Sequence, residues 1–143
     1  MNENPEEASL SSAIIREITP FSYGIEVHGD RMSVLIKKDS QIPTRCSDIY
    51  TTASDYQRSV RIQVLQGESE KASENFQLDR RILSGLPSLP AGQAKIEVEF
   101  YIDINGVLHV KALDKFNTSN VQTMDIELGS AKIETEVSFY LVF

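Results

Sequence analysis

From Ile96 to Leu113 apolar and polar residues take turns along the chain. Ile96, Val98, Phe100 and Ile102 alternate with Glu97, Glu99 and Tyr101, and VLHVKAL returns after Asn105-Gly106. A period of two marks strands buried on one face, and Asn-Gly predicts a tight hairpin with both turn residues at positive φ. Val60, Ile62 and Val64, with Arg61 and Gln63 between them, repeat the pattern before Gln66-Gly67-Glu68 interrupts it. Similar short runs predict strands near Gly24 to His28, Met32 to Lys37, Ser47 to Ala53, Val60 to Gln66, Phe76 to Ile82, Lys95 to Asp103, Val107 to Leu113 and Gln122 to Leu128. The stretch from Gly85 to Gly92 holds two prolines and two glycines and reads as a loop. Asn4-Pro5-Glu6-Glu7 carries a capping residue, a proline for the first helical position and two acids for the positive dipole end, so a short helix towards Ile14 is expected. About eight strands with one apolar face each predict an all-β, two-layer antiparallel sandwich.

Length and charge narrow the function. At 143 residues the chain is one domain with room for a core. Its net charge of -7 has the wrong sign for neutralising phosphates, which sets nucleic acid and anionic membranes aside as partners. The longest apolar run, FYLVF at the end, is far short of the roughly 20 residues a span needs. The opening MNENPEEASLSS has no apolar stretch of the secretory kind, so a cytoplasmic location is expected. The single cysteine, Cys46, excludes an internal disulfide and a multi-cysteine metal site, and reads as a small buried hydrophobe. His28 and His109 show no zinc-binding spacing, and no phosphate-loop or nucleophile-elbow motif occurs. An enzyme built on Asp103, His109, Asp114 and a serine is the weakest reading, because His109 falls on the strand face opposite Leu108 and Val110, where a solvated residue is expected. Composition and periodicity leave a sugar binder, a peptide binder, an adhesive module or a spacer equally open.

Specific motifs go further. EITPFSYGIE at Glu17 to Glu26, IPT at Ile42 to Thr44, TTASDYQ at Thr51 to Gln57, VRIQVLQGE at Val60 to Glu68, SGLPSLPAG at Ser84 to Gly92 and IEVEFYIDINGVLHVKALDK at Ile96 to Lys115 stand in order. Together they resemble the substrate-binding β-sandwich of the seventy-kilodalton heat-shock chaperones, the DnaK-type family, from Glu17 to about Leu128. The resemblance implies a groove that holds extended hydrophobic peptide segments of unfolded clients. Val60 would sit in its central pocket with Ile25, Tyr50, Ile62 and Ile96. Val27, Thr51, Gln57 and Ser59 would face the peptide, and His28 and Ala53 would arch over its backbone. It implies residues 1–16 as a short N-terminal segment with a remnant of the interdomain linker and 17–128 as the peptide-binding sandwich, whereas 129–143 are not something the family leads one to expect and read as an apolar tail or extra strand. The family's ATPase domain and helical lid are missing from this stretch, so the expectation is a non-enzymatic module with no cofactor. ATP and a J-domain co-chaperone would belong to a full-length parent.

Three positions depart from the family pattern. His28 stands where a large apolar arch residue is usual, Tyr50 where phenylalanine is, and Arg61 where a small or β-branched residue is. The groove is therefore expected to be more polar than usual, and a histidine at the arch would make peptide affinity depend on pH. The tail AKIETEVSFYLVF, with Ile133, Val137, Phe139, Leu141 and Phe143 on one face, is either an added strand or an occupant of its own or a neighbour's groove. The competing reading is a structural or regulatory sandwich that has kept the fold and lost peptide binding.

Overall fold

The computed structural model describes residues 17–128. The helix expected near Asn4 and the apolar tail lie outside them. Eight strands follow one another: β1 (Tyr23–Val27), β2 (Arg31–Ile36), β3 (Thr44–Tyr50), β4 (Val60–Gln66), β5 (Phe76–Leu83), β6 (Ile96–Ile102), β7 (Val107–Asp114) and β8 (Asn117–Glu127). They form two four-stranded sheets, in the orders β2-β1-β4-β5 and β3-β6-β7-β8, with every neighbouring pair antiparallel. The inner faces meet in one core, where Ile25, Ile36, Ile62, Val64 and Leu83 of the first sheet oppose Val98, Phe100, Leu108, Val110 and Met124 of the second. Cys46 is half-buried and packs against this core. This is the expected β-sandwich.

The alternation holds where the pairing is regular. Residues of β6 are buried and half-buried in turn along the whole strand, and β7 runs in register from Ile102 opposite Leu108 to Ile96 opposite Asp114. The turn between them differs from the expected one. Gly106 has φ 81 and Asn105 is not at positive φ. The Asp103 amide donates to the Val107 carbonyl at 3.0 Å, so three residues, Ile104 to Gly106, make the loop. The cause is Asp103, whose carboxylate accepts the amides of Asn105 at 2.9 Å and Val107 at 3.0 Å. That favours a type I turn closed by a left-handed glycine.

Strand β4 also departs from simple alternation. Gln63 is buried, with its side-chain amide donating to the Asp79 carbonyl at 3.0 Å, and Val64 and Leu65 are both fully buried where the register slips. Beyond β4, Gly67 and Glu68 close the end of the sandwich remote from the groove described below. Gly67 adopts φ 147 beside the Asn75 side chain, so a Cβ there would collide. Glu68 accepts the Ser22 amide at 2.9 Å and the Ser22 hydroxyl at 2.8 Å, bonds that hold its carboxyl below the usual carboxylate range. Tyr23, next to Ser22, is fully buried and its hydroxyl has no hydrogen-bond partner among the described residues.

Candidate functional site

The groove lies at the other end of the sandwich, where three connections meet. The β1–β2 turn, His28 to Asp30, joins neighbours in the first sheet, while the loops 51–59 and 84–95 cross between the sheets. They frame a cavity of about 920 Å³, large for a single ligand-binding pocket. Its floor is apolar and buried: Ile25, Ile62, Ala94, Ile96 and Val98 are each no more than 4% exposed. Its rim is polar, with Glu26, Asp30, Arg31, Thr51, Ser54, Arg61 and Lys95.

Of the positions singled out from sequence, Ile25, Val27, His28, Tyr50, Thr51, Ala53, Gln57, Val60, Ile62 and Ile96 all line this one cavity. Ser59 does not. It contributes its carbonyl, which accepts the Gln57 side-chain amide at 2.8 Å. Gln57 in turn accepts the amides of Ala53 at 3.1 Å and Ser54 at 3.2 Å. Most of its hydrogen-bonding capacity is thus spent on holding its own loop. Ile49, Thr52 and Gly92 also line the cavity and were not singled out; their adjacency to Tyr50, Thr51 and the Ser84 to Gly92 motif was the available signal.

Each wall is fixed from behind. Asp30, in the left-handed region at φ 56, turns its carboxylate away to accept the Ser73 amide and hydroxyl, both at 2.8 Å, and so anchors the turn that carries His28 to the single helical turn Ala72–Glu74. The loop 51–59 is tied to the loop 84–95 by three backbone bonds, Tyr56 to Leu89 at 2.7 Å, Leu86 to Arg58 at 3.0 Å and Gly92 to Thr52 at 3.1 Å, and by the Ala91 amide donating to Asp55 at 2.9 Å. Tyr50 spans the two sheets, its hydroxyl 2.7 Å from that of Ser33 on β2. Burial pushes the Tyr50 hydroxyl's pKa up, partly offset by the Ser33 bond, with the Asp48 charge adding to the rise. The Arg61 guanidinium stands 3.6 Å from the Glu26 carboxylate, a loose pair between β4 and β1.

Gly24, beside Ile25, sets how closely β1 and β2 approach. A Cβ there would run into the Ser33 carbonyl and the Val34 Cα, so only glycine lets the strand carrying the pocket lie so near its neighbour.

His109, the other histidine, lies on the outer face of the second sheet. One ring nitrogen is 2.8 Å from Asp103 and the other 2.7 Å from Asp125. The ring stacks on Tyr101 at 5.7 Å, and Arg45 lies 4.3 Å from the Tyr101 ring centroid, over the ring. With both nitrogens on carboxylates, none is left to activate a serine, and Asp114 is buried with its carboxylate accepting the Phe116 amide at 2.9 Å. The catalytic triad considered from sequence is not assembled. No group of three or more metal-ligating side chains occurs among the described residues, and no helix among them is long and apolar enough to cross a membrane.

The fold and the cavity define a two-sheet β-sandwich whose loop end is an open groove with an apolar floor and a polar rim. Comparison with known proteins gives that architecture a family. The model of the Hsp70 protein family matches residues 5–139, and the chain belongs to that family. It is 40% identical over 129 residues to the chaperone protein DnaK of Stenotrophomonas maltophilia (strain R551-3), a match covering 90% of this chain and 20% of that protein. The chain therefore spans about a fifth of the length of this relative.

Proposed function

We propose that residues 17–128 are the peptide-holding domain of an Hsp70 chaperone, with residues 1–16 as its linker side and 129–143 as an apolar extension. The observation that carries this is the groove itself, which ends in a buried floor of Ile25, Ile62, Ile96 and Val98 under Val60 and Tyr50. An extended client segment drops one apolar side chain onto that floor, while its main-chain groups meet the loop polar groups around Thr51 and Ala53. Selectivity comes from the floor and tolerance from the backbone. In this reading the chain needs no cofactor and catalyses nothing. ATP hydrolysis and J-domain co-chaperones act through a separate ATPase domain.

The magnitudes suit a releasable clamp. Burying a leucine contributes roughly 1.5–3 kcal/mol, and each of a few net hydrogen bonds about 1 kcal/mol. Ordering the peptide and immobilising it offset much of this, leaving dissociation constants around the micromolar range.

Fluorescence anisotropy of a labelled, leucine-centred heptapeptide tests the reading against a Val60→Phe variant, whose ring fills the pocket. The expected result is micromolar binding weakened at least tenfold in the variant, the loss of about 1.4 kcal/mol or more. A chain ending at Ser130 separates the tail's part: tighter binding after truncation identifies the tail as an occupant of the groove. Absence of binding by both the full and the shortened chain would replace this reading with that of a sandwich kept for structural or regulatory use.

A further inference from the structure

The rim of the groove is charged differently from the rest of the molecule. Arg31, Arg61 and Lys95 line it against Glu26 and Asp30, a local balance of +1 in a chain of -7, so the remainder carries -8. The two carboxylates are already engaged. Glu26 faces Arg61 at 3.6 Å, and both oxygens of Asp30 accept from Ser73. Arg31 and Lys95 have no carboxylate partner among the described residues. Arg31 opens β2, its guanidinium donating to the His28 carbonyl at 3.3 Å, and Lys95 precedes β6. One cation therefore stands at the end of each sheet, on the two sides of the apolar floor. Two further charges on the crossing loop, Asp55 and Arg58, cancel. Asp48, whose field acts on Tyr50, does not line the cavity.

We infer that the groove selects extended peptides whose apolar centre is flanked by acidic residues. The inference rests on the peptide-holding reading and adds the charge of the client to it. The floor decides where a peptide sits, and Arg31 and Lys95 decide which neighbours of the buried residue are favoured. Such rim pairs are solvent-exposed and act mainly through association rate and salt dependence.

The test uses three labelled heptapeptides with one leucine core and with glutamate, serine or lysine flanks, titrated with the 143-residue chain by anisotropy. At about 0.15 M ionic strength, where a Debye length of about 8 Å screens the remote negative charge, the glutamate peptide is expected to bind about fivefold tighter than the lysine peptide, with serine between. The order should collapse in about 1 M salt, where the Debye length is about 3 Å. Lys95→Glu should narrow the gap, and adding Arg31→Glu should reverse it. Equal or opposite affinities for the charged peptides, with the serine peptide still bound, would overturn the inference and leave the clamp intact. Binding of none of the three would remove both together.

Discussion

His28 and His109 are surface histidines in two regions built on opposite plans. On the outer face of the second sheet, Arg45, Tyr101, His109 and Asp125 form a row across four strands in pairing register, and each member is partnered by the next. At the groove the bonds run backwards, from Asp30 to Ser73, from Gln57 to its own loop and from Tyr56 to Leu89. There His28, Thr51, Arg31 and Lys95 line the cavity. Polar groups that saturate one another have little capacity left for a ligand. Polar groups mounted on braced loops, with their own functional atoms uncommitted, keep that capacity. Exposure alone would not have separated the two regions; the direction of the hydrogen bonds does.

The comparison can be broken most forcefully at Gly24. Gly24→Ala forces β1 away from β2, and overpacking against backbone is expected to cost about 3 kcal/mol or more. Urea unfolding should show the lower midpoint and anisotropy the loss of peptide binding. Full stability with normal affinity would mean that close approach of the two strands does not shape the groove.

Tyr50→Phe sharpens it. Tyr50 lines the groove, yet its hydroxyl is spent on Ser33, so it should behave as a member of the finished region. A stability loss of about 1 kcal/mol is expected, with peptide affinity changed far less. A large affinity loss at unchanged stability would place the hydroxyl among the ligand-facing groups after all.

The smallest effect is expected at His109. Its pKa is raised from 6.5, first by the hydrogen bond to Asp103 and then by that to Asp125. The folded chain thus holds the proton more tightly than the unfolded one. The stabilisation is complete below pH 6.5 and fades as pH rises through the higher folded-state value. Asp103 has the opposite sign: its pKa is lowered from 3.8, chiefly by His109, so its contribution is present above pH 3.8 and lost as pH falls through the lowered value. Denaturation midpoints for His109→Gln should therefore lack the decline that the parent shows above pH 6.5, while peptide affinity stays the same. An altered affinity would tie the outer face to the groove.

Much of the sandwich was legible because period-two alternation follows directly from burial of one sheet face, and β6 and β7 obey it throughout. Boundaries were less legible. Strand β3 begins at Thr44 rather than Ser47 and stops at Tyr50, because Thr51 to Ala53 leave the ladder to build the groove. Strand β8 begins at Asn117, before the apolar signal at Val121, because its first residues are mostly exposed and carry no pattern. The buried Gln63 escaped a reading by polarity, since only the Asp79 carbonyl makes its burial tolerable. For the groove, motif resemblance named ten of the lining residues. The latches between the loops 51–59 and 84–95 and the anchoring of Asp30 on Ser73 join residues 28 to 43 positions apart, which no local pattern announces.

Tyr23 sets a limit of another kind. Its phenol is pushed up from 10.0 to about 12, by burial and then by the Glu68 charge. Alkali therefore finds the unfolded chain readier to give up this proton, and across the window from pH 10 to about 12 each step works against the native state. Near-ultraviolet phenolate absorbance should show Tyr23 ionising late and together with loss of the sheet signal, making the end of the sandwich farthest from the groove a point of failure in strong base.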